Sequence, residues 1–141
     1  MIPYYLLYAY LSLNFLFIKK FSIFTGTLTF LILLTFIGFR HEIGVDWQQY
    51  LNIMYKDNYL ILKGGHEIGY TIFNWIGSEL DSIYIVNSLS AILFLSGLFT
   101  YCKRKSYPWF SLIFAFPVLL LPVALGLTRQ SCAVGIEFFA L

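Results

Sequence analysis

The sequence predicts an all-α, polytopic integral membrane protein, on long uncharged apolar runs, a composition too apolar for water, and charges sorted between the two ends of those runs. Residues 21–39 pass nineteen positions without a charge, and comparably apolar stretches cover about 2–18, 82–102 and 107–127. Each approaches the roughly 20 residues that a helix rising about 1.5 Å per residue needs to cross a hydrocarbon core roughly 30 Å thick. Hydrophobic residues make up 60% and charged residues 11% of the chain, against roughly 25% charge in an ordinary soluble domain.

The first run, 2–18, resembles a secretory signal only in its apolarity. A basic n-region is missing, and Lys19-Lys20 follows the run instead of preceding it, so it reads as a first span. The second run, 21–39, ends at Arg40-His41-Glu42. Lys103-Arg104-Lys105 joins the third and fourth runs in a second short basic loop, and the positive-inside rule assigns both loops to the cytoplasm. Residues 40–81 hold six of the seven acids, namely Glu42, Asp46, Asp57, Glu67, Glu79 and Asp81, and are expected outside together with the N-terminus. The fourth span leaves the membrane at Thr128-Arg129-Gln130, and a partial fifth, 131–141, begins at about Ser131. Eleven residues do not cross a bilayer, so residues 1–141 read as one membrane domain forming the N-terminal part of a longer polytopic protein.

The 40–81 segment is patterned. After Gly44 and a candidate cap at Asp46, the residues Trp47, Tyr50, Leu51, Met54 and Tyr55 keep the spacing of one helical face. Asp57-Asn58 ends that helix, and Lys63-Gly64-Gly65 is a turn. Gly69, Ile72, Phe73, Ile76 and Leu80 then define a second face, with Asp81-Ser82 as a cap for the third span. Two short amphipathic helices on the outer membrane surface fit this pattern.

Several chemistries are absent from the pattern. A net charge of +2 gives no basic surface for nucleic acid. Cys102 and Cys132 have no paired spacing, and His41 and His66 have no ligand spacing, so neither a disulfide nor a metal site is expected. There is no phosphate-binding glycine loop and no dinucleotide turn, and no cofactor is expected.

What remains is a polar cluster where the spans meet the outside. Charged groups near membrane depth are costly unless paired, hydrated or used. Arg40 and Arg129 lie at one end of the bundle near carboxylates and histidines, and the guanidinium fork suits phosphate oxygens. Pro117 and Pro122 inside the fourth span remove backbone donors and are expected to kink it, with Gly126 adding local freedom before Thr128.

In order along the chain stand Arg40, Gly44, Asp46 and Tyr50, then Glu67, Gly69 and Tyr70, then Arg129, Gln130 and Ala133. This series, with its spacing and its span order, resembles the EpsG family of bacterial exopolysaccharide proteins, relatives of the Wzy-type polymerases of capsule and O-antigen. The resemblance implies a protein of the bacterial cytoplasmic (inner) membrane with about ten or more spans. It implies a glycosyltransferase-type reaction in polysaccharide biosynthesis, in which undecaprenyl-pyrophosphate-linked oligosaccharide repeat units are joined on the outer face. The implied partners are that lipid-linked oligosaccharide, membrane lipid and other polysaccharide-assembly proteins.

On this reading Asp46, Glu67 or His66 serves as general base, because a carboxylate or imidazole of suitable pKa is what an acceptor hydroxyl needs. Arg40, Arg129 and Gln130 bind the pyrophosphate. Trp47, Tyr50 and Tyr70 offer ring faces to sugars. The alternatives are a non-catalytic transport or flippase segment for the same lipid-linked sugars, and an inactive remnant.

Overall fold

Seven α-helices and one π-helical run follow one another among the described residues, 2–18, 21–44, 47–56 and 68–141 of a computed structural model. They are α1 (Ile2–Phe17), α2 (Ile23–Gly38), α3 (Trp47–Lys56), α4 (Ile68–Glu79), α5 (Ile83–Lys103), α6 (Pro108–Ala115), a π segment (Phe116–Ala124) continuous with α6, and α7 (Thr128–Ala140). No strand occurs among these residues. The all-helical reading therefore stands, and helix boundaries follow local chemistry. Ser22 caps α2 by accepting a hydrogen bond from the Thr25 amide at 3.2 Å. Pro108 sits in the first turn of α6, where its missing N–H costs nothing.

One helix, α5, is long and apolar enough to cross a membrane; Ile2–Phe17, Ile23–Gly38 and Pro108–Ala124 are apolar but shorter. Side-chain contacts fix how they run. Tyr10 hydrogen-bonds Thr29 at 3.0 Å and Tyr4 meets Phe36 edge-on, so α1 and α2 are antiparallel. Phe39 stacks near Tyr84 while Phe30 meets Phe99, so α2 and α5 are antiparallel as well. Phe15 pairs with Phe110 and Tyr8 with Phe116, which sets α6 and the π segment antiparallel to α1. α7 runs parallel to α5. One end of the bundle therefore gathers the N-terminus of α1, the C-terminus of α2, the N-terminus of α5, the end of the π segment and the start of α7. Lys103, Arg104 and Lys105 occupy the opposite end, exposed.

The main core joins Leu7 and Leu11 of α1, Leu33 of α2, Phe94 and Leu98 of α5, Leu112 of α6 and Leu120 of the π segment. Large side chains such as Ile23, Phe24, Phe114 and Val118 point away from it, as they would toward lipid. Where the outer surroundings are as apolar as the core, burial adds little and close packing decides the fit. α5 and α7 show this. A Cβ on Gly97 would overlap the Gly135 carbonyl, and one on Gly135 would overlap the Phe94 backbone. Two glycines thus set how near the helices approach.

α3 and α4 pack over the start of α5 through a second cluster containing Trp47, Tyr50, Met54, Tyr70, Ile83, Val86 and Cys132. On α3 the predicted face is buried at Trp47, Tyr50 and Met54, whereas Tyr55 is exposed and donates its hydroxyl to Asp81 at 2.8 Å. That hydrogen bond holds the Tyr55 phenol above its ordinary pKa. On α4 the packed face is rotated from the predicted one, although Phe73 still packs against this cluster. Tyr70, Asn74 and Gly77 are buried, while Gly69, Ile72 and Leu80 are exposed. Gly77 explains the rotation, because its missing side chain lets α4 close onto Val86. Apolarity on both faces of α4 carried no directional signal. Ser82 takes the cap position of α5 without a side-chain cap bond. Residues 57–67, with the expected turn, and the expected cap Asp46 lie outside the described residues.

Candidate functional site

Arg40 follows α2 directly and turns back into the bundle, where it is 3% exposed. One terminal nitrogen, Nη1, donates to the carbonyl oxygens of Ala124, at 3.0 Å, and of Leu125. The other, Nη2, donates to Asn87 Oδ1 at 3.3 Å and to Thr128 Oγ1. Three helices and the π segment are thereby joined through one side chain.

The acceptors are there because the fourth apolar run is broken. Pro117 and Pro122 each lack the N–H that a regular helix requires, and the chain widens into the π segment. Thr128 starts a new helix, leaving the carbonyls of Ala124 and Leu125 at a helix C-terminus, where partial negative charge accumulates. A cation is the natural cap. The expected kink is therefore a full break at Leu127, directly after Gly126. Thr128-Arg129-Gln130, expected as a polar interruption before a fifth span, forms the first turn of α7.

Gly44 grips the same break from outside. Its φ of +108° lies in the region that favours glycine, and a Cβ there would stand 3.0 Å from the Gly126 carbonyl oxygen and 3.2 Å from that of Leu125. Arg40 and Gly44 are thus two ends of one hook closed on Leu125-Gly126, with Glu42 at φ +50° in its bend. On the flank, His41 Nδ1 lies 2.8 Å from the Tyr84 hydroxyl, and its ring meets Trp47 edge-on.

Among the described residues no carboxylate pairs with Arg40; the ion pair found there, His41 with Glu42 at 3.9 Å, lies on the surface. Burial lowers the pKa of Arg40 from its ordinary value and raises that of Tyr70, which meets Tyr50 edge-on nearby. Tyr50, Tyr70 and Trp47 are buried, so their rings pack in the second cluster instead of standing open to solvent. Arg129 and Gln130 are exposed on α7, on the face opposite Thr128, Ser131 and Cys132. Asp46, His66 and Glu67 lie outside the described residues. No group of three or more metal-ligating side chains occurs among the described residues.

Beside the break, a cavity of about 570 Å³ opens between α1 and the π segment, lined by Tyr4, Tyr8, Ile43, Phe116, Leu121 and Leu125 among others. Asn87 and Thr128 are functional candidates that sequence reasoning passed over. The available signal was a single amide within the third apolar run, because an amide at that depth requires a partner.

The comparisons bear on the same segment. No curated protein and no solved structure matches this chain. A model of the EpsG family matches residues 23–141, which include the hook, the broken helix and α7. The match covers most of the chain, and the protein belongs to the EpsG family, a membrane protein related to polysaccharide biosynthesis.

Proposed function

We propose that this protein polymerises lipid-linked oligosaccharide repeat units, as a polytopic protein of the bacterial inner membrane with the Arg40 end facing outward. The growing chain, carried on undecaprenyl pyrophosphate, is the donor, and a hydroxyl of a new repeat unit is the acceptor. The bond between the donor sugar's anomeric carbon and the phosphate oxygen breaks. A bond from the acceptor oxygen to that carbon forms, the acceptor proton passes to a base, and the lipid pyrophosphate leaves with the electron pair. Negative charge grows on the leaving group, and preorganised donors that meet it lower the barrier.

The observation that carries this reading is the hook of Arg40 and Gly44 closed on the broken fourth helix, with Arg129 and Gln130 exposed one turn away. Arg129 and Gln130 at the start of α7 combine a guanidinium, an amide and the positive end of a helix dipole, a combination suited to pyrophosphate. Arg40 contributes its buried charge and holds the frame. Asp46, Glu67 or His66 acts as general base. The buried rings of Trp47, Tyr50 and Tyr70 set the shape of the surface above.

The test is Arg129→Ala in the full chain, expressed in cells whose own copy is deleted. Loss of long polysaccharide at unchanged membrane abundance is expected. Wild-type polymer length would overturn the reading, and loss of export with normal polymerisation would favour transport of the same lipid-linked sugars.

A further inference from the structure

The buried guanidinium of Arg40 is less satisfied than its four bonds suggest. Among the described residues its Nε–H has no hydrogen-bond partner, and neither has the Nδ2 amide nitrogen of Asn87, whose Oδ1 accepts from the same arginine. Ser90, one helical turn along α5 and 1% exposed, holds a third buried polar atom without a partner among the described residues. Among the described residues all the acceptors of Arg40 are neutral. A buried charge compensated only by dipoles is costly, and unpaired donors beside it add to that cost. Arg40 Nε–H and the Asn87 amide both call for an acceptor, and the uncompensated charge asks that it be an anion.

We infer that Asn87, Arg40 and Ser90 form a buried position for one phosphate oxygen, in which Asn87 Nδ2, Arg40 Nε and the Ser90 hydroxyl are the donors. Naming the anion as phosphate rests on the proposed function; the demand for an anionic oxygen rests on the geometry alone. The position lies where α2, α5 and the start of α7 meet, and Asn87 is its specificity-determining residue.

Asn87→Asp separates this role from a purely structural one. It keeps the oxygen that accepts from Arg40 and replaces the unpaired donor with a second oxygen, supplying Arg40 with a counter-charge. If Asn87 only braces Arg40, the variant binds anions as the wild type does. If Asn87 donates to a phosphate oxygen, binding is lost while the protein stays as stable as before or becomes more so.

The measurement is thermal unfolding of the full chain in phosphatidylcholine nanodiscs titrated with inorganic pyrophosphate or orthophosphate, with a parallel set in discs containing phosphatidylglycerol. Wild type should show a saturable stabilisation, the effective arm naming the source of the phosphate, and Asn87→Asp should weaken it at least tenfold. Ser90→Ala, which deletes an unpaired hydroxyl and so spares the fold, should weaken it several-fold and serves if Asn87→Asp does not accumulate. An unshifted wild type, or variants that bind like it, overturns the inference. Polymer length read on the same variants keeps the two ideas apart. Normal binding by Asn87→Asp with polymer lost in Arg129→Ala removes the buried position and leaves the polymerase reading. Lost binding with normal polymer in every variant does the reverse.

Discussion

Arg40 caps the carbonyl oxygen of Ala124 at 3.0 Å across 84 positions of chain. That bond, with its neighbours to Leu125, Asn87 and Thr128, turns a broken helix into a fixed feature. The break at Leu127 and the arginine that holds it are one device.

Arg40→Ala removes the donor from two helix-end carbonyls and two side chains at once. Leaving buried neutral acceptors unsatisfied costs about 1–3 kcal/mol each, so membrane abundance should fall along with polymer. Arg40→Lys keeps the charge but not the fork that spans Nη1 and Nη2 acceptors, and should recover abundance only in part. Immunoblots of membranes measure this. Wild-type abundance in Arg40→Ala would show that the hook is dispensable.

Arg129 is exposed, and its replacement should spare the fold. Arg129→Ala should leave abundance within a few tenths of a kcal/mol of wild-type stability. Losing one preorganised donor to a developing anion should slow chain extension about a hundredfold to a thousandfold. Polysaccharide ladders normalised to protein report both quantities together.

Gly44→Ala tests the other end of the hook. A side chain at φ +108° costs about 1–2 kcal/mol in backbone strain alone. Its Cβ would also press on the Leu125 and Gly126 carbonyls. A drop of several degrees in unfolding temperature is expected, whereas Gly69→Ala, with nothing near its Cβ, should change little. Equal effects of the two would mean that the hook bears no strain.

Gly135→Leu should separate α5 from α7, because even a Cβ at that position overlaps the Phe94 backbone. Overpacking of this kind costs about 1–3 kcal/mol or more. A disulfide trap read on single cysteines along α5 and α7 should lose its pattern in the variant, and an unchanged pattern would refute the close glycine contact.

The membrane orientation follows from charge. With Cys102 and Cys132 replaced, a single cysteine at position 58 should react with a membrane-impermeant thiol reagent in intact cells, and one at position 20 or 104 should not. The opposite result would place the Arg40 end in the cytoplasm and overturn the proposed chemistry.

The sequence by itself determined the helical class, the apolar runs and their order, and the polar clusters at one end, because hydropathy and charge are written residue by residue. Family membership was legible for the same reason, in the spacing of Arg40, Gly44, Asp46 and Tyr50. Tertiary structure decided what that spacing does in part: Arg40 and Gly44 close on carbonyls more than eighty positions away, and no local periodicity reports such a contact. It also decided which face of α4 packs, since in an apolar helix the choice fell to Gly77 and not to the apolar stripe. Asn87 looked like an isolated amide in an apolar run, and only its distance of 3.3 Å from Arg40 gave it a role. Backbone carbonyls carry no sequence signal, so a site built on them appears only when the chain is folded.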